Sequence, residues 1–342
     1  MYPFGSGREG EVMRALGKAA MVGTMAGLLA AGLAVASPGA GATTAVPGAA
    51  ATVAAPGAGA TTAALGAGAN FAPVPGAAAT FAARVAASGP AGVQAPYADL
   101  ADAGTGADLW NQDPTAEVPM GSIVKVMTAY VVIQAGNLDQ LITVPSGITA
   151  YDKDYDASTA GLRPGEQLTA RQLLYAMLLP SGCDAAYTLA AAYGPGLPAF
   201  IAKMNATAAQ LGLTSTYFTD VSGLPIPTGT STYSDARDLV ALGRDAMALP
   251  LFASIVQLAS YKLPSQSGLH PSFTWKTTNP LIGDYAGTTG IKTGNTQTAG
   301  SCLLFEATRG GQTLIGVVLD DPSFKVASSD AQQMMNWGWN NS

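Results

Sequence analysis

Ser122 and Lys125 are the two residues in this chain whose types and spacing most directly suggest covalent chemistry. On a helix, residues three apart lie on one face, so the hydroxyl and the amine would be neighbours. A serine becomes a nucleophile when an adjacent base accepts its proton, and a lysine can be that base when burial or a second cation keeps it neutral. Residues 122–135 are apolar on every side, which predicts a buried helix. Because the same pair is common on solvated helices, the hypothesis needs support from elsewhere in the chain.

Two further triplets supply that support. Ser181-Gly182-Cys183 follows an apolar helical run and Pro180, which predicts a tight turn between two helices. Lys292-Thr293-Gly294 ends a β-rich run near the C-terminus. A Ser-x-x-Lys motif, a Ser-x-Asn-type triplet and Lys-Thr-Gly, in that order, form a set that accompanies nucleophilic catalysis by serine. The three together favour a catalytic Ser122 over a solvated pair.

From about Gln94 to Trp339, the chain resembles the low-molecular-mass penicillin-binding proteins of the D-alanyl-D-alanine carboxypeptidase family. The segments that carry the resemblance are PMGSIVKVMTAY at 119–130, AGLRPGE at 160–166, LLPSGCDAAY at 178–187, and 277–294 with its Asn279-Pro280-Leu281. The resemblance implies a serine D,D-carboxypeptidase that removes the terminal D-Ala of peptidoglycan stem peptides. It also leaves open a D,D-transpeptidase, in which an amine replaces water as the acyl acceptor.

The resemblance also implies a role for each matched residue. Ser122 would be the acylated nucleophile, Lys125 its general base, and Ser181 the group that passes a proton to the leaving amine. The residues implied to bind the substrate are Cys183, Lys292, Thr293, Gly294 and Asn295. Among these, Lys292 and Thr293 would bind the terminal carboxylate, and the N–H groups of Ser122 and Asn295 would form the oxyanion hole. Lys292 would also help to keep Lys125 neutral by like-charge repulsion. The implied partners are a stem peptide ending in D-Ala-D-Ala and β-lactam antibiotics as covalent inhibitors.

Cys183 departs from the family pattern, which usually has Asn as the third residue of the middle triplet. An amide donates and accepts hydrogen bonds strongly, whereas a thiol does both weakly. This difference leaves the preferred acyl acceptor open, and it is the one feature that points to a non-catalytic cell-wall-binding module. Cys183 and Cys302 are predicted to be free thiols, because one lies at the expected site and the other inside a strand.

The chain is not expected to be a class A β-lactamase, although those enzymes share the three triplets. They use a glutamate to activate the deacylating water, and this chain has no glutamate between Glu166 and Glu306. Asp220 is the one aspartate of that interval in a plausible loop, and its side chain is a methylene shorter. We therefore expect a penicilloyl group on Ser122 to persist.

Composition excludes several other classes of function. With a net charge of −6 over 342 residues, the chain offers no field that would attract nucleic acid. No cysteine spacing resembles a zinc site, and the single histidine, His270, is predicted to be a surface or structural residue. Asp152, Asp154 and Asp156 alternate like calcium ligands but lack the glycine and closing glutamate of such a loop, so a solvated turn is expected. No metal and no cofactor are predicted.

The sequence divides into three parts. Residues 1–36 have basic residues followed by an uncharged run, which predicts a signal peptide or an N-terminal anchor. Residues 37–93 consist largely of Ala, Gly, Pro and Thr and are predicted to be a low-complexity linker. The peptidase domain would occupy 94–342. It is therefore expected to be exported, extracellular or cell-wall-associated, with membrane contact only through an uncleaved N-terminal segment.

The predicted fold is of the α+β class. An antiparallel sheet built from residues 94–111 and 286–320 would be flanked by terminal helices, beside an all-α lobe, with the site in the cleft between them. The strands are predicted at 97–102, 107–111, 288–293, 300–308 and 312–319. Besides the helix after Ser122, helices are predicted at 169–179, 184–192, 198–211, 235–248 and 328–339.

Overall fold

The computed structural model describes residues 89–155 and 157–342; the predicted leader and residues 37–88 of the predicted linker lie outside the described residues. The strands are β1 (Tyr97–Asp102), β2 (Asp108–Gln112), β3 (Leu141–Thr143), β4 (Gln167–Thr169), β5 (Ser260–Leu263), β6 (Phe273–Lys276), β7 (Thr288–Thr296), β8 (Gly300–Arg309) and β9 (Gln312–Asp321). The helices are α1 (Val124–Ala135), α2 (Ile148–Asp154), α3 (Ala170–Leu178), α4 (Cys183–Tyr193), α5 (Leu197–Gln210), α6 (Ala236–Met247), α7 (Pro250–Val256) and α8 (Phe324–Asn341).

A five-stranded antiparallel sheet, in the order β2-β1-β9-β8-β7, joins the two ends of the described chain. Both of its faces are buried, which explains why β8 and β9 are nearly continuous apolar runs instead of alternating patterns. Phe305 and Val318 pack under α8 on one face, whereas Leu304 and Ile315 pack under α6 on the other. β7 is an edge strand of this sheet, and it carries the Lys-Thr-Gly triplet.

The helical lobe is built around α1, which packs against α3, α4, α5, α6 and α7. Val124 to Ala129 are all buried, although consecutive residues point in different directions around a helix. The prediction of a buried helix with apolar residues on every side is therefore confirmed. Its position at the centre of the lobe fixes the residues that precede it, including Ser122, against the sheet.

The predicted fold class is confirmed, as are the hairpin of β1 and β2, the three late strands, and the turn that separates α3 from α4. The predicted bounds of α3, α4, α5 and α6 each differ by a single residue from those observed. These elements are long and strongly patterned, so their sequences alone identify them. Of the predicted flanking terminal helices, α8 is present, whereas the described N-terminal residues lead directly into β1.

Three features differ from the prediction. Ser122 lies in a short 3₁₀ turn, Gly121–Ile123, that precedes α1 instead of within the α-helix. The last helix begins at Phe324, four residues before its predicted start, because Ser323 accepts a hydrogen bond from the N–H of Val326 and caps it. The short elements α2, α7 and the pairs β3-β4 and β5-β6 were not predicted, since runs of three to seven residues carry little periodicity.

Within the described part of the chain, no single helix is long and apolar enough to cross a bilayer. The helices α6 and α7 together reach the required length and apolar composition, but the chain bends by 106° between them.

Candidate active site

Several segments converge on one cleft of about 570 Å³ between the sheet and the helical lobe. They include the turn before α1, the turn between α3 and α4, the loop 220–225 and the edge strand β7. The predicted site residues that line the cleft are Ser122, Ser181, Cys183, Thr293 and Asn295. The three triplets, far apart in the sequence, thus meet at the predicted place between sheet and helices.

Two glycines allow the turn at Ser122 to lie directly on β7. A Cβ atom at Gly294 would overlap the carbonyl oxygen of Met120. A Cβ atom at Gly121, whose φ is +54°, would lie only 2.7 Å from the backbone nitrogen of Asn295. The backbones of these two segments are therefore in contact, and the N–H groups of Ser122 and Asn295 belong to adjacent positions.

Lys125 is completely buried at the base of the cleft, with an exposed fraction of 0%. Its Nζ lies 2.8 Å from Ser122 Oγ, 3.3 Å from Cys183 Sγ and 2.9 Å from the carbonyl oxygen of Ser222. A neutral amine at this position would have a lone pair for the Ser122 hydroxyl while it donates to the other two groups. The geometry is thus suited to proton transfer from Ser122 to Lys125.

The carbonyl of Ser222 is positioned by Asp220, which sequence reasoning considered only as a base for deacylation. One oxygen of the buried Asp220 carboxylate accepts from the three backbone N–H groups of residues 222–224, at 2.8–3.0 Å, and from Ser222 Oγ at 2.9 Å. The other oxygen accepts from the Tyr151 hydroxyl at 2.6 Å. Burial, then the charge of Asp220, raises the pKa of Tyr151 well above its usual value, so the phenol remains a donor.

The middle triplet forms a strained turn. Ser181 has a φ of +62°, which is uncommon for a residue with a side chain. Ser158 Oγ donates to the carbonyl oxygen of Ser181 at 2.6 Å and holds the turn in place. Cys183, the first residue of α4, is a free thiol with an exposed fraction of 1%, as is the buried Cys302 in β8. The prediction of two free thiols is confirmed.

Asp184 anchors the start of α4 beside Cys183. Its buried carboxylate accepts from the backbone N–H groups of Ala160, Leu162 and Ala185 at 2.8–3.0 Å. Burial raises the pKa of Asp184, although these hydrogen bonds act in the opposite direction. The AGLRPGE segment is therefore tied to the middle triplet, a contact that the sequence did not indicate.

Lys292 lies beneath the wall of the cleft, with an exposed fraction of 1%. Its Nζ donates to Ser181 Oγ at 2.9 Å, to the carbonyl oxygen of Thr293 at 2.9 Å and to Thr293 Oγ1 at 3.4 Å. Burial, and then the nearby charge of Lys125, holds the pKa of Lys292 well below its usual value. Lys292 is therefore connected to the cleft through the hydroxyl groups of Ser181 and Thr293.

The other candidate residues lie in structural positions. His270 is buried and its Nδ1 lies 2.9 Å from the carbonyl oxygen of Pro271, so it is a structural and not a surface residue. Asp152 and Asp154 lie in α2, which corrects the predicted solvated turn, and Asp156 lies outside the described residues. Burial, and then Asp184, raises the pKa of Asp152 to about 6. The described part of the chain contains no group of three or more residues that could hold a metal ion.

Comparisons with known proteins agree with this geometry. A sequence profile of the D-alanyl-D-alanine carboxypeptidase family matches residues 83–323. The chain is 40% identical over 247 residues to a D-alanyl-D-alanine carboxypeptidase of Streptomyces sp. (strain K15), covering 69% of this chain and 84% of the relative. It is 40% identical over 216 residues to one of Mycobacterium tuberculosis, covering 63% of this chain and 71% of that relative.

The crystal structure of a DD-transpeptidase from the same Streptomyces strain is also similar. It superimposes with a TM-score of 0.70 at 38% sequence identity, and the match covers 74% of this chain and 100% of the other. The resemblance read from the sequence is thereby confirmed. With its mixed sheet-and-helix fold, this chain belongs to the D-alanyl-D-alanine carboxypeptidase family of serine peptidases.

Proposed function

We propose that this protein is a serine D,D-carboxypeptidase that removes the terminal D-Ala from peptidoglycan stem peptides through an acyl-enzyme on Ser122. The observation that carries the proposal is the 2.8 Å contact between Ser122 Oγ and Lys125 Nζ at the base of the cleft. Lys125 is wholly buried beside Ser122, and a lysine in its neutral form can accept the serine proton.

Acylation would begin with attack of Ser122 Oγ on the carbonyl carbon of the penultimate D-Ala. Lys125 takes the hydroxyl proton as the new C–O bond forms. The backbone N–H groups of Ser122 and Asn295 stabilise the oxyanion, and the contact of Gly121 with Asn295 holds the two peptide groups at adjacent positions. Electrostatic stabilisation of this kind is worth about 10²–10³-fold in rate for one donor.

Departure of D-Ala requires a proton on its nitrogen as the C–N bond breaks. Ser181 is suited to supply it, because its Oγ lines the cleft and accepts a hydrogen bond from Lys292 at 2.9 Å. Lys292 replaces the proton that Ser181 gives up, and its lowered pKa favours this release. When water later attacks the acyl-enzyme, its proton returns through Ser181 to Lys292, and Lys125 returns its own proton to Ser122.

The free carboxylate of the substrate would bind at Thr293, with the positive charge of Lys292 directly beneath it. A bound carboxylate favours the charged form of Lys292 because opposite charges attract. Gly294 and Asn295 continue the edge strand β7, whose free edge offers backbone donors and acceptors to an extended peptide. Cys183 also lines the cleft, where it would contact the peptide through a weak donor.

The test is covalent labelling by a β-lactam together with an assay of D-Ala release. We expect the label on Ser122 in the intact protein and its loss in Ser122→Ala, and we expect release of D-Ala from a synthetic peptide ending in D-Ala-D-Ala. Failure to label and failure to release D-Ala would together favour a non-catalytic cell-wall-binding module instead.

A D,D-transpeptidase that uses the same site is the second candidate, and the similar Streptomyces enzyme is described by that activity. The two reactions share the acyl-enzyme and differ only in the acceptor. Product analysis with and without an added amine separates them. Cross-linked product in excess of the hydrolysed peptide would assign transfer as the main reaction.

We further propose that residues 1–36 direct export, that 37–93 form a linker, and that 94–342 act in the cell wall on stem peptides and react there with β-lactams. Basic residues followed by an uncharged run, and then the sequence Ala34-Val35-Ala36, support a cleavable leader. N-terminal sequencing of the exported protein tests this proposal. A mature chain that still begins at Met1 would indicate an anchor instead of a cleaved leader.

A further inference from the structure

Thr278, which no motif singled out, contacts the Lys-Thr-Gly triplet within the lining of the cleft. Its Oγ1 lies 2.6 Å from Thr293 Oγ1, and the side chain is exposed and lines the cleft. The backbone N–H of Thr278 donates to the carbonyl oxygen of Leu179 at 3.0 Å. Because that bond ties Thr278 to the end of α3, its hydroxyl is held at a defined place beside β7.

The direction of the hydrogen bonds leaves a donor at the cleft. Lys292 Nζ donates to Thr293 Oγ1 from the buried side, so the hydrogen of the Thr293 hydroxyl points away from Lys292. When Thr293 donates to Thr278, the hydrogen of the Thr278 hydroxyl is free to point into the cleft. A relay therefore runs from the buried amine through Thr293, whose exposed fraction is only 4%, to the exposed Thr278.

The described residues that line the cleft carry no charge, so a substrate carboxylate depends on neutral donors such as these hydroxyl groups. Among the described residues, those that line the cleft include no lysine, arginine, aspartate or glutamate. A substrate carboxylate that enters the cleft therefore meets hydroxyl groups instead of an exposed cation. A carboxylate has two oxygens, each with room for more than one donor, so a single threonine would leave part of it unsatisfied.

We propose that Thr278 is a specificity-determining residue, whose hydroxyl binds the terminal carboxylate of the substrate together with Thr293. The carboxylate is thus recognised by a pair of hydroxyl groups, and the amine of Lys292 is hydrogen-bonded to one of them, that of Thr293. This inference rests on the proposed function and adds to it the means by which a free carboxylate is distinguished from a neutral chain end.

The test compares a peptide ending in D-Ala-D-Ala with the same peptide as its C-terminal carboxamide. Thr278→Val removes the hydroxyl but keeps the shape, and Thr278→Ser restores the hydroxyl. We expect Thr278→Val to lower the ratio of kcat/KM for carboxylate over carboxamide by about 10-fold or more, mainly through KM, as for a lost hydrogen bond to a charged group. Thr278→Ser should keep the ratio of the unaltered enzyme. The ratio within one variant does not depend on the fraction of protein that is folded.

The matched control is Thr277→Val, the same change at the neighbouring residue, whose Oγ1 accepts from the N–H of Asn279. It should leave the ratio unchanged. A Thr278→Val enzyme with the ratio of the unaltered enzyme would overturn the inference, while D-Ala release by the unaltered enzyme would keep the proposed function in place. Absence of D-Ala release from the unaltered enzyme would overturn the proposed function, and this inference with it.

Discussion

The amine of Lys292 donates a 2.9 Å hydrogen bond to the hydroxyl of Ser181, and both side chains are buried. This contact joins the second and third triplets, which come from a turn between helices and from an edge strand. Lys125 makes the corresponding contact with Ser122, also from a buried position. Ser122 and Ser181 are thus each paired with a buried lysine, and in the proposed mechanism the first pair accepts a proton while the second donates one.

Replacement of the proposed base tests the first pair. Lys125→Met keeps an unbranched apolar stem in the buried site but removes the amine, so Ser122 loses its proton acceptor. We expect the rate of Ser122 acylation by a β-lactam to fall by about 10²–10⁴-fold, as for loss of a general base. Stopped-flow or mass-spectrometric measurement of the labelled fraction over time gives this rate.

Lys203→Met is the matched control for that prediction. Lys203 is an exposed lysine of α5 that also donates to a backbone carbonyl, that of Tyr193. Its removal should leave the acylation rate unchanged. An equal loss of rate in both variants would assign the effect to folding instead of to proton transfer.

Much of the site could be predicted because its key contact is local. Ser122 and Lys125 are three residues apart in one helical segment, so their contact follows from helix geometry. Lys292 is different, since a lysine that ends a strand would ordinarily be a solvated edge residue. Its hydrogen bond to Ser181 joins it to a distant part of the chain, and only the family resemblance placed these two residues together.

The contacts that were missed share a physical cause. Asp220 holds its loop through three backbone N–H groups. Almost every residue type has a backbone N–H, so the sequence does not indicate which of these groups binds a side chain. The hydroxyl groups of Thr278 and Thr293 are in contact, but nothing in the sequence around Thr278 indicates that it lies beside Thr293. Such long-range polar contacts depend on the complete fold, whereas strands and helices are largely visible in local periodicity.

Cys183→Asn is expected to increase the carboxypeptidase activity. The thiol contacts Lys125 at 3.3 Å and lines the cleft, but it is a weak donor and a weak acceptor. An amide at this position would offer the substrate backbone a strong donor and acceptor, with a gain of about 2–10-fold in kcat/KM for one added neutral hydrogen bond. Steady-state assay of D-Ala release measures the change.

Cys302→Ala is the control for the cysteine substitution, because Cys302 is buried in β8 and donates to the carbonyl oxygen of Ala299. It should leave kcat/KM unchanged. If Cys183→Asn lowers kcat/KM instead, the thiol is better suited to this site than the amide, and the expectation is wrong.

Stability is expected to decrease as the pH rises towards 8. Burial, and then the negative charge of Asp108, raises the pKa of Asp99 from an ordinary value of 3.8 to about 7. Burial, and then the negative charge of Asp330, raises the pKa of Asp321 to about 7 in the same way. Between these values the folded state binds more protons than the unfolded state, so the free energy of unfolding falls as the pH rises. Urea denaturation at pH 5 and pH 8 measures the difference.

Asp321→Asn separates this effect from other causes. The buried Asp321 carboxyl lies beside that of Asp330, so a neutral amide at position 321 removes a buried charge at pH 8. The variant should be more stable than the unaltered protein at pH 8 and should show a smaller change between the two pH values. Asp320→Asn, at the exposed neighbouring residue, removes only the smallest contribution to the raised pKa of Asp321 and should keep most of the original pH dependence. Equal pH dependence in the unaltered protein and Asp321→Asn would contradict the assignment.

The penicilloyl adduct on Ser122 is expected to be long-lived, because no described residue of the cleft offers a free carboxylate to activate water. The described residues that line it include no aspartate or glutamate. Asp220, the one candidate from the sequence, has one oxygen engaged by residues 222–224 and the other by Tyr151, so neither is available as a base. The lifetime of the adduct after removal of excess β-lactam is the measurement, and turnover within seconds would refute the expectation.

Asp220→Asn should slow acylation, since Lys125 loses a well-placed Ser222 carbonyl, but it should leave the slow deacylation unchanged. A marked further loss of deacylation in that variant would instead identify Asp220 as the base.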